Sequence, residues 1–361
     1  MGYNEPQQKM KKTLLLALAM FFTTVSFAQQ QLATLNHNDS ITVFYGIDAL
    51  ISAHNAAVNG DIITLSSGLF TTPSTITKAI TIRGAGAWDV NGNAKTVING
   101  QTNLDVPEDT LYHLSLEGLS FESNVSFNKV HNPQFVKCYF YNFNAKSYSS
   151  SDPTPPIMSN AVFINCIVSS WNSYSYSSWR AQDTEFINSV ILYSYDPNYG
   201  INSTNSPDQF INCILQQFPE TSSMNNRTFV NCILYYGYSY SYITPTYNSN
   251  TAYNCIFIQT NSSYANNLFS GQAGHTLWNK LGMSTVFQSF NGTYNGINFT
   301  LLDGIATTCL GTDSTQVGIY GGEYPFNPRV TNPAITHINV GQRSTPDGKL
   351  AVDIEVVSED E

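Results

Sequence analysis

One short phrase recurs six times in the middle of the chain, and it restricts the possible folds more than any other feature of the sequence. Each copy reads as an apolar residue, usually Phe, then a variable position, then Asn or Lys, then Cys or Ser, and then two mostly apolar positions. The copies span residues 135–140, 163–168, 186–191, 210–215, 229–234 and 252–257. Measured at the Cys or Ser, they lie 28, 23, 24, 19 and 23 residues apart. This period is typical of a solenoid and is too short for a propeller blade. A weaker copy at 116–121 extends the array towards the N-terminus.

The phrase has a direct interpretation as two short strands joined by a bend. Side chains alternate along a strand, so Cys213 and Leu215 share an inward face, and Phe210 points inward from the preceding strand. Asn tolerates the left-handed backbone that such a bend requires. We expect each bend Asn to bond the equivalent Asn one coil away. These residues are Asn165, Asn188, Asn212, Asn231 and Asn254.

Composition agrees with β-structure. The 361 residues are 42% hydrophobic and 13% aromatic, but only 11% are charged. This excludes a charged disordered polymer and disfavours a helical bundle. The net charge of −10 argues against nucleic acid and against an anionic membrane surface as partners.

The first 28 residues are predicted to be a secretory signal peptide. Lys11 and Lys12 precede an apolar run at 14–22, and Ser26 and Ala28 are the small residues of a cleavage site. The run is too short for a transmembrane helix, and no later run reaches 18 apolar residues. Cleavage after Ala28 leaves a secreted or cell-surface chain of net charge −12.

The phrase and its spacing resemble right-handed parallel β-helix proteins of the pectin-lyase-like superfamily, in particular its uncharacterised exported bacterial members. The segments 60–70 and 79–86 are similar to the opening coils of that superfamily, and 311–322 is similar to its closing coil. An N-terminal capping helix is expected before them, with one apolar face. That face comprises Ile47, Leu50, Ile51, His54, Ala57 and Val58.

The predicted organisation is therefore all-β, with the signal peptide at 1–28, a right-handed parallel β-helix at 29–325 and an appendage at 326–361. We expect roughly ten coils of about 23 residues. In the appendage, residues 335–340 and 350–357 alternate like two strands of a β-hairpin around the turn at 345–348. The hairpin either caps the open end of the solenoid or docks on a partner.

The cysteines are interpreted as buried free thiols rather than disulfides or metal ligands. Five of the six share one inward register, where stacked parallel strands do not offer disulfide geometry. The chain has no Cys-x-x-Cys pair, so we expect no zinc site, and nothing in the sequence indicates a cofactor.

The middle residues of the phrase form a second, outward-facing stripe. It consists of Ile167, Val190, Ile214, Ile233 and Ile256. Two interpretations stay open: simple strand propensity, or contact with the C-terminal tail or another subunit.

The resemblance implies lyases, hydrolases, esterases and adhesins alike, so it leaves the activity open. A catalytic alternative is a polysaccharide lyase or glycoside hydrolase that uses Asp183, Asp208 and Arg227. These residues precede their Ser or Cys by six, five and five positions, so neighbouring coils could stack them. An exterior ladder of paired charges fits the same spacing.

Aromatic side chains after the Cys strands suggest binding instead. They recur at the coil period and should gather on one side of the solenoid, where flat rings with polar rims suit sugars or protein partners. The alternative is a purely structural role, in which these segments pack on each other and cover the strands. The candidates are Trp171, Tyr174, Tyr176, Trp179, Tyr193, Tyr195, Tyr235, Tyr236, Tyr238, Tyr240 and Tyr242. The sequence thus favours a non-catalytic glycan-binding or adhesive protein, with a purely structural surface protein as a third reading.

Overall fold

The computed structural model describes residues 31–89, 95–109, 111–146, 156–172, 181–195, 209–216, 228–236, 251–259, 277–289, 298–329, 334–344 and 350–357. In this part of the chain the architecture is all-β and mostly parallel. Two long sheets are built side by side, and the chain alternates between them.

The first sheet, sheet A, has eleven strands. Its strands are β1 (Leu32–His37), β2 (Ser40–Tyr45), β3 (Ile62–Leu65), β6 (Thr81–Arg83), β9 (Ser115–Glu117), β11 (Gln134–Val136), β14 (Val162–Ile164), β17 (Glu185–Ile187), β19 (Gln209–Ile211), β21 (Thr228–Val230) and β23 (Thr251–Tyr253). From β3 onwards every neighbouring pair is parallel. Strands β1 and β2 form an antiparallel hairpin at one edge, because β1 pairs antiparallel with both β2 and β3.

The second sheet, sheet B, has fourteen strands. Its strands are β4 (Gly68–Thr71), β5 (Thr75–Ile76), β7 (Thr96–Asn99), β8 (Thr102–Val106), β10 (Ser120–His131), β12 (Tyr139–Ala145), β13 (Ile157–Ser159), β15 (Ile167–Asn172), β16 (Ala181–Gln182), β18 (Val190–Tyr195), β20 (Ile214–Gln216), β22 (Ile233–Tyr236), β24 (Cys255–Gln259) and β25 (Leu277–Leu281). Each pairs in parallel with a strand of the next coil, so the arrangement is that of a β-helix-like solenoid.

The repeated phrase builds the interior as the alternation predicts. Its apolar first residues stack in register on sheet A, where Phe163, Phe186 and Phe210 face one another through successive strand pairs. Their rings stack at centroid distances of 4.5 and 5.2 Å. The Cys positions, including Ser189, are all fully buried beside them. Cys232 donates from its thiol to the carbonyl of Phe210 at 3.2 Å, so each thiol is tied to the coil before it.

The bend residues adopt the predicted left-handed backbone. The φ angles of the five bend asparagines lie between 44° and 56°, and Lys137 at the equivalent position has φ 52°. Their predicted amide bonds along the stack are wrong for Asn165, Asn188, Asn231 and Asn254. These side chains bond backbone groups of a segment near the C-terminus instead.

That segment, residues 298–327, is here called the strap. It lies on the outside of sheet B and runs in the direction opposite to the succession of coils. Asn254 bonds Leu310, Asn231 bonds Thr312, Asn188 bonds Ile319, and Asn165 bonds Tyr324. The strap contains helix α2 (Asp303–Thr308), and a short 3-10 helix (Met283–Thr285) precedes it.

The strap settles the open question of the outward aliphatic stripe. All five stripe residues are buried, and they form one apolar cluster with strap residues such as Leu301, Val317 and Ile319. The stripe is therefore covered by another part of the same chain, most of which precedes the predicted appendage at 326–361, and sheet B is covered on both faces here. The segment 311–322, expected as a closing coil, is part of this strap. Gly318 has φ 82° and comes so close to Ile233 that a Cβ would lie 2.8 Å from its Cδ1.

Helix α1 (Ala49–Ala56) packs against the first strands of both sheets. Leu50, His54 and Ala57 are buried as predicted, whereas Ile47 and Val58 lie outside the helix and are exposed. Lys78 ends the helix by donating from its ammonium to the carbonyls of His54 and Ala57 at 2.5 and 2.6 Å.

The predicted C-terminal hairpin is present as an antiparallel pair of strands, β26 (Ala334–Ser344) and β27 (Leu350–Val357). Its role as a cap or docking strand stays a prediction. Of the helices in the described ranges, none has the length and hydrophobicity to cross a membrane.

Candidate functional site

The outer face of the long sheet B strands carries a column of polar residues, one from each coil. Strand register places Thr75 beside Asn103, Asn103 beside Ser126, and Ser126 beside Asn144. In backbone register the next two positions are Asn172 and Tyr195. We call Thr75, Asn103, Ser126 and Asn144 the polar column. Neighbouring strands lie about 4.8 Å apart, so the column repeats a polar group at that spacing.

The strands turn these residues away from the core because the positions beside them point inward, although Ser126 is itself only 6% exposed. Leu104, Phe127 and Phe143 are fully buried in the core, and alternation turns the intervening side chains to the other face. Irregular pairing between Phe121 and Asn124 bends the long strand β10 at this point. On β10 and β12 the polar column lies just after this irregularity.

Hydrogen bonds connect the column and its flanks across coils. The hydroxyl of Ser126 donates to Asn103 Oδ1 at 3.3 Å. On one flank Asn128 donates to Asp105 Oδ2 at 2.9 Å. On the other flank Asn142 donates to Asn124 Oδ1 at 3.1 Å. The surface therefore combines amides and hydroxyls with few formal charges.

Two acceptors on this surface are left without a partner among the described residues, namely Asn142 Oδ1 and Asn144 Oδ1. Both are buried against neighbouring strands, and a buried unpaired acceptor costs about 1–3 kcal/mol. Tyr141 stands next to them with 55% of its surface exposed. The two buried oxygens are not accessible to a ligand, but the exposed tyrosine ring, with its polar rim, is chemically suited to a hydroxyl-rich one.

The predicted aromatic residues divide into three groups. Trp171 lies in the interior, 8% exposed, stacked on Phe143 at 5.4 Å and edge-on to Phe186 at 5.3 Å. Trp171 pairs in register with Phe143, and Asn144 of the polar column comes one position later on that strand. The indole therefore faces the core and presents no surface to an outside ligand. Tyr235 is half-buried and packs against the cluster beneath the strap.

Tyr193, Tyr195 and Tyr236 lie on strands β18 and β22, at register positions near the ends of those strands. The remaining predicted aromatics lie outside the described residues; they are Tyr174, Tyr176, Trp179, Tyr238, Tyr240 and Tyr242. The strands that precede these segments, β15 and β22, are parallel members of sheet B, and their carboxyl ends meet at one edge of it.

The catalytic alternative is represented in the described residues by Asp183 alone, because Asp208 and Arg227 lie outside them. Asp183 is exposed and has φ 54°. Gln182 pairs in register with Ser159 of the preceding coil. Asp183 therefore occupies the position that corresponds to Asn160. Asn132 and Asn160 occupy the same kind of left-handed corner, and Asn160 donates to Asn132 Oδ1 at 2.9 Å. Asp183 thus continues a row of turn residues.

No group of three or more potential metal ligands occurs within the described ranges. The buried thiols are poorly disposed to act as ligands, because burial raises the pKa of Cys138 and Cys232 well above the ordinary value. A thiol must lose its proton to bind a metal.

Sequence reasoning missed the polar column, because its register depends on loops of unequal length between the coils. The signal that could have found it is local alternation of polar and apolar residues, at 124–128 and again at 142–145. Comparisons with known protein families, with curated proteins and with solved structures give no match for this chain.

Proposed function

We propose that this chain is an exported β-helix protein that binds neutral polysaccharide on the polar column without cleaving it. The observation that carries the proposal is the column itself, in which polar side chains recur on successive coils, together with the exposed ring of Tyr141 on the same strand as Asn144. Amides and hydroxyls both donate and accept hydrogen bonds, as sugar hydroxyls do. A polymer with regularly spaced hydroxyls fits a surface with regularly spaced partners.

The aromatic segments support the same function. Those after β15, β18 and β22 begin at the carboxyl ends of parallel strands, which lie at one edge of sheet B. Tyr195 also continues the polar column in register. Tyrosine and tryptophan rings at this edge would extend the surface with apolar faces for sugar rings.

The finer features of the fold belong to this proposal. We assign a right-handed coil, because parallel strands in one sheet are joined by right-handed crossovers in almost all proteins. We assign α1 as the N-terminal cap, because its buried face packs on the first strands. Export follows from the signal peptide predicted at 1–28, and adhesion to a cell-surface glycan is the corresponding biological role.

Retention of the purified protein on immobilised polysaccharides tests the function. Xylan, mannan and β-glucan serve as neutral probes, and polygalacturonate serves as the acidic comparison. We expect retention on at least one neutral polymer, and about tenfold weaker binding for Tyr141→Ala and Asn144→Ala, the effect of losing about 1.4 kcal/mol. Tyr253→Ala is the matched control, since Tyr253 is 38% exposed on sheet A, away from the column.

Two results contradict the proposal. One is that wild type binds no probe, or that both column variants bind like the control. The other is the appearance of new reducing ends or unsaturated products in the same wells, which would move the function to a lyase or hydrolase.

A further inference from the structure

We infer that two copies of this chain associate through strand β2, which pairs antiparallel with β2 of a second copy across a two-fold axis. Sheet A begins with this strand, and among the described residues only one of its two edges is paired. An open strand edge presents a row of N–H and C=O groups without protein partners. A second strand that pairs along the edge supplies a hydrogen-bond partner for each of them.

The register of the β1–β2 hairpin shows which backbone groups point to the open edge. Gly46 donates its N–H to the carbonyl of Gln31 at 2.9 Å, towards β1. On the opposite side of β1, Ser66 donates to the carbonyl of Leu32 at 2.9 Å, towards β3. Because these directions alternate along a strand, Ile41, Val43 and Tyr45 direct their N–H and C=O groups to the open edge.

The side chains of these same residues are exposed and apolar. Ile41 is 66% exposed, Val43 39% and Tyr45 61%. The strand contains no charged residue and no proline, and it shows no bulge in its pairing with β1. Edge strands that stay unpaired in natural proteins usually carry charges, prolines or bulges that prevent pairing. Because β2 has none of these, its edge is typical of a strand that pairs with another chain.

The sequence of β2 matches itself in one antiparallel register. With Val43 opposite Val43 of the second copy, Ile41 lies opposite Tyr45 and Tyr45 opposite Ile41. Each of these pairs exchanges both backbone hydrogen bonds, because all three residues point to the open edge. Aromatic and β-branched side chains directly opposite one another are favourable pairs. This match argues for a second copy rather than a foreign strand.

Further exposed apolar residues enlarge the contact at this end of the solenoid. Ile47 is 44% exposed and Val58 50% exposed, on either side of helix α1. Five of the large exposed apolar residues therefore lie within residues 41–58. Pairing through the same strand on both copies uses up the open edge, so association stops at the dimer.

Sedimentation of the purified full chain tests the inference. We expect a dimer of about twice 39.9 kDa. Val43→Pro removes the central N–H at the open edge while leaving the bonds to β1, so it should yield a folded monomer. Val43→Lys and Val43→Glu should each be monomeric, because like charges would face each other on the axis, and an equimolar mixture of the two should restore a dimer.

The control is Tyr324→Lys, which places a charge at an exposed strap residue and should stay dimeric. Far-ultraviolet circular dichroism and thermal melting report whether each variant is folded. A monomeric wild type, a dimeric Val43→Pro, an open-ended assembly, or a mixture of the Lys and Glu variants that stays monomeric would each overturn the inference.

Discussion

Substitution of Asn188 separates the two tasks of a bend residue in this protein. Asn188 is fully buried, has φ 44°, and donates from its amide to the carbonyls of Ile319 and Gly321 at 2.8 and 2.6 Å. It therefore both turns the chain and fixes the strap. Glycine keeps the turn but removes the amide, whereas alanine removes the amide and also opposes the left-handed backbone.

The magnitudes follow from these contacts. Each lost hydrogen bond costs about 1 kcal/mol, and a carbonyl left unpaired in a dry interface costs about 1–3 kcal/mol. For Asn188→Gly we expect the free energy of unfolding to fall by about 2–4 kcal/mol. Asn188→Ala should lose a further ~1–2 kcal/mol from the left-handed backbone.

Asn160 supplies the matched control, because it has φ 53° but is exposed and donates a single amide bond to Asn132. Asn160→Gly should cost less than about 1 kcal/mol, while the difference between its Ala and Gly variants should equal that at position 188. Urea denaturation followed by tryptophan fluorescence gives the free energies. Hydrogen exchange at the Gly318 amide, which donates to Asn231, reports release of the strap itself. If Asn188→Gly and Asn160→Gly lose the same stability, and Gly318 exchanges at the wild-type rate in both, the strap is not held by these amides.

Two further predictions concern buried groups. Cys213→Ser should lower the free energy of unfolding by less than about 1.5 kcal/mol, because Ser189 already occupies the equivalent site and donates to the carbonyls of Phe163 and Ile187. Cys213→Leu should overpack the core and lower it by about 1–3 kcal/mol. Equal losses for the two variants in urea denaturation would contradict this. Burial, and to a lesser extent the Lys78 ammonium, lower the pKa of His54. Below a pH of about 6.5, the ordinary pKa of histidine, His54 takes up a proton more readily in the unfolded chain than in the folded chain. The free energy of unfolding therefore has its full value above that pH and falls as the pH drops below it. Denaturation at pH 7.5 and pH 5 should show this loss in wild type and a smaller loss in His54→Leu; an unchanged loss would assign the effect to other groups.

The interior of the solenoid could be predicted from sequence because its determinants are local. The alternation around Cys213 and the left-handed preference of Asn212 act within a few residues, so the phrase alone defines inward faces and bends. The hydrogen-bond partners of the bend asparagines could not be predicted, because they lie up to 162 residues away in the strap. The stripe from Ile167 to Ile256 was ambiguous for the same reason.

The candidate site was less predictable than the core. Trp171 was assigned to a binding surface from its neighbours in sequence, but it pairs in register with Phe143 and stacks on that ring in the core. Before Phe143 the pairing of β12 with β10 is irregular, and such an irregularity leaves no clear mark in the residue pattern. The polar column depends on register between coils whose connecting segments differ in length, and only the paired strands define that register.

The direction of the strap also sets an order of events during folding. Leu310 is 56 residues from its partner Asn254, whereas Tyr324 is 159 residues from Asn165. Loop-closure entropy grows with the number of residues enclosed, so the contact at Asn254 closes at the lowest cost. Each bond formed there brings the next strap residue to the next coil, and docking proceeds from the last coil back towards Asn165. The strap is also synthesised after every coil that it covers, so the stripe from Ile167 to Ile256 stays exposed until residues 298–327 have been made. Folding of this chain should therefore be slow and governed by a late step of high contact order.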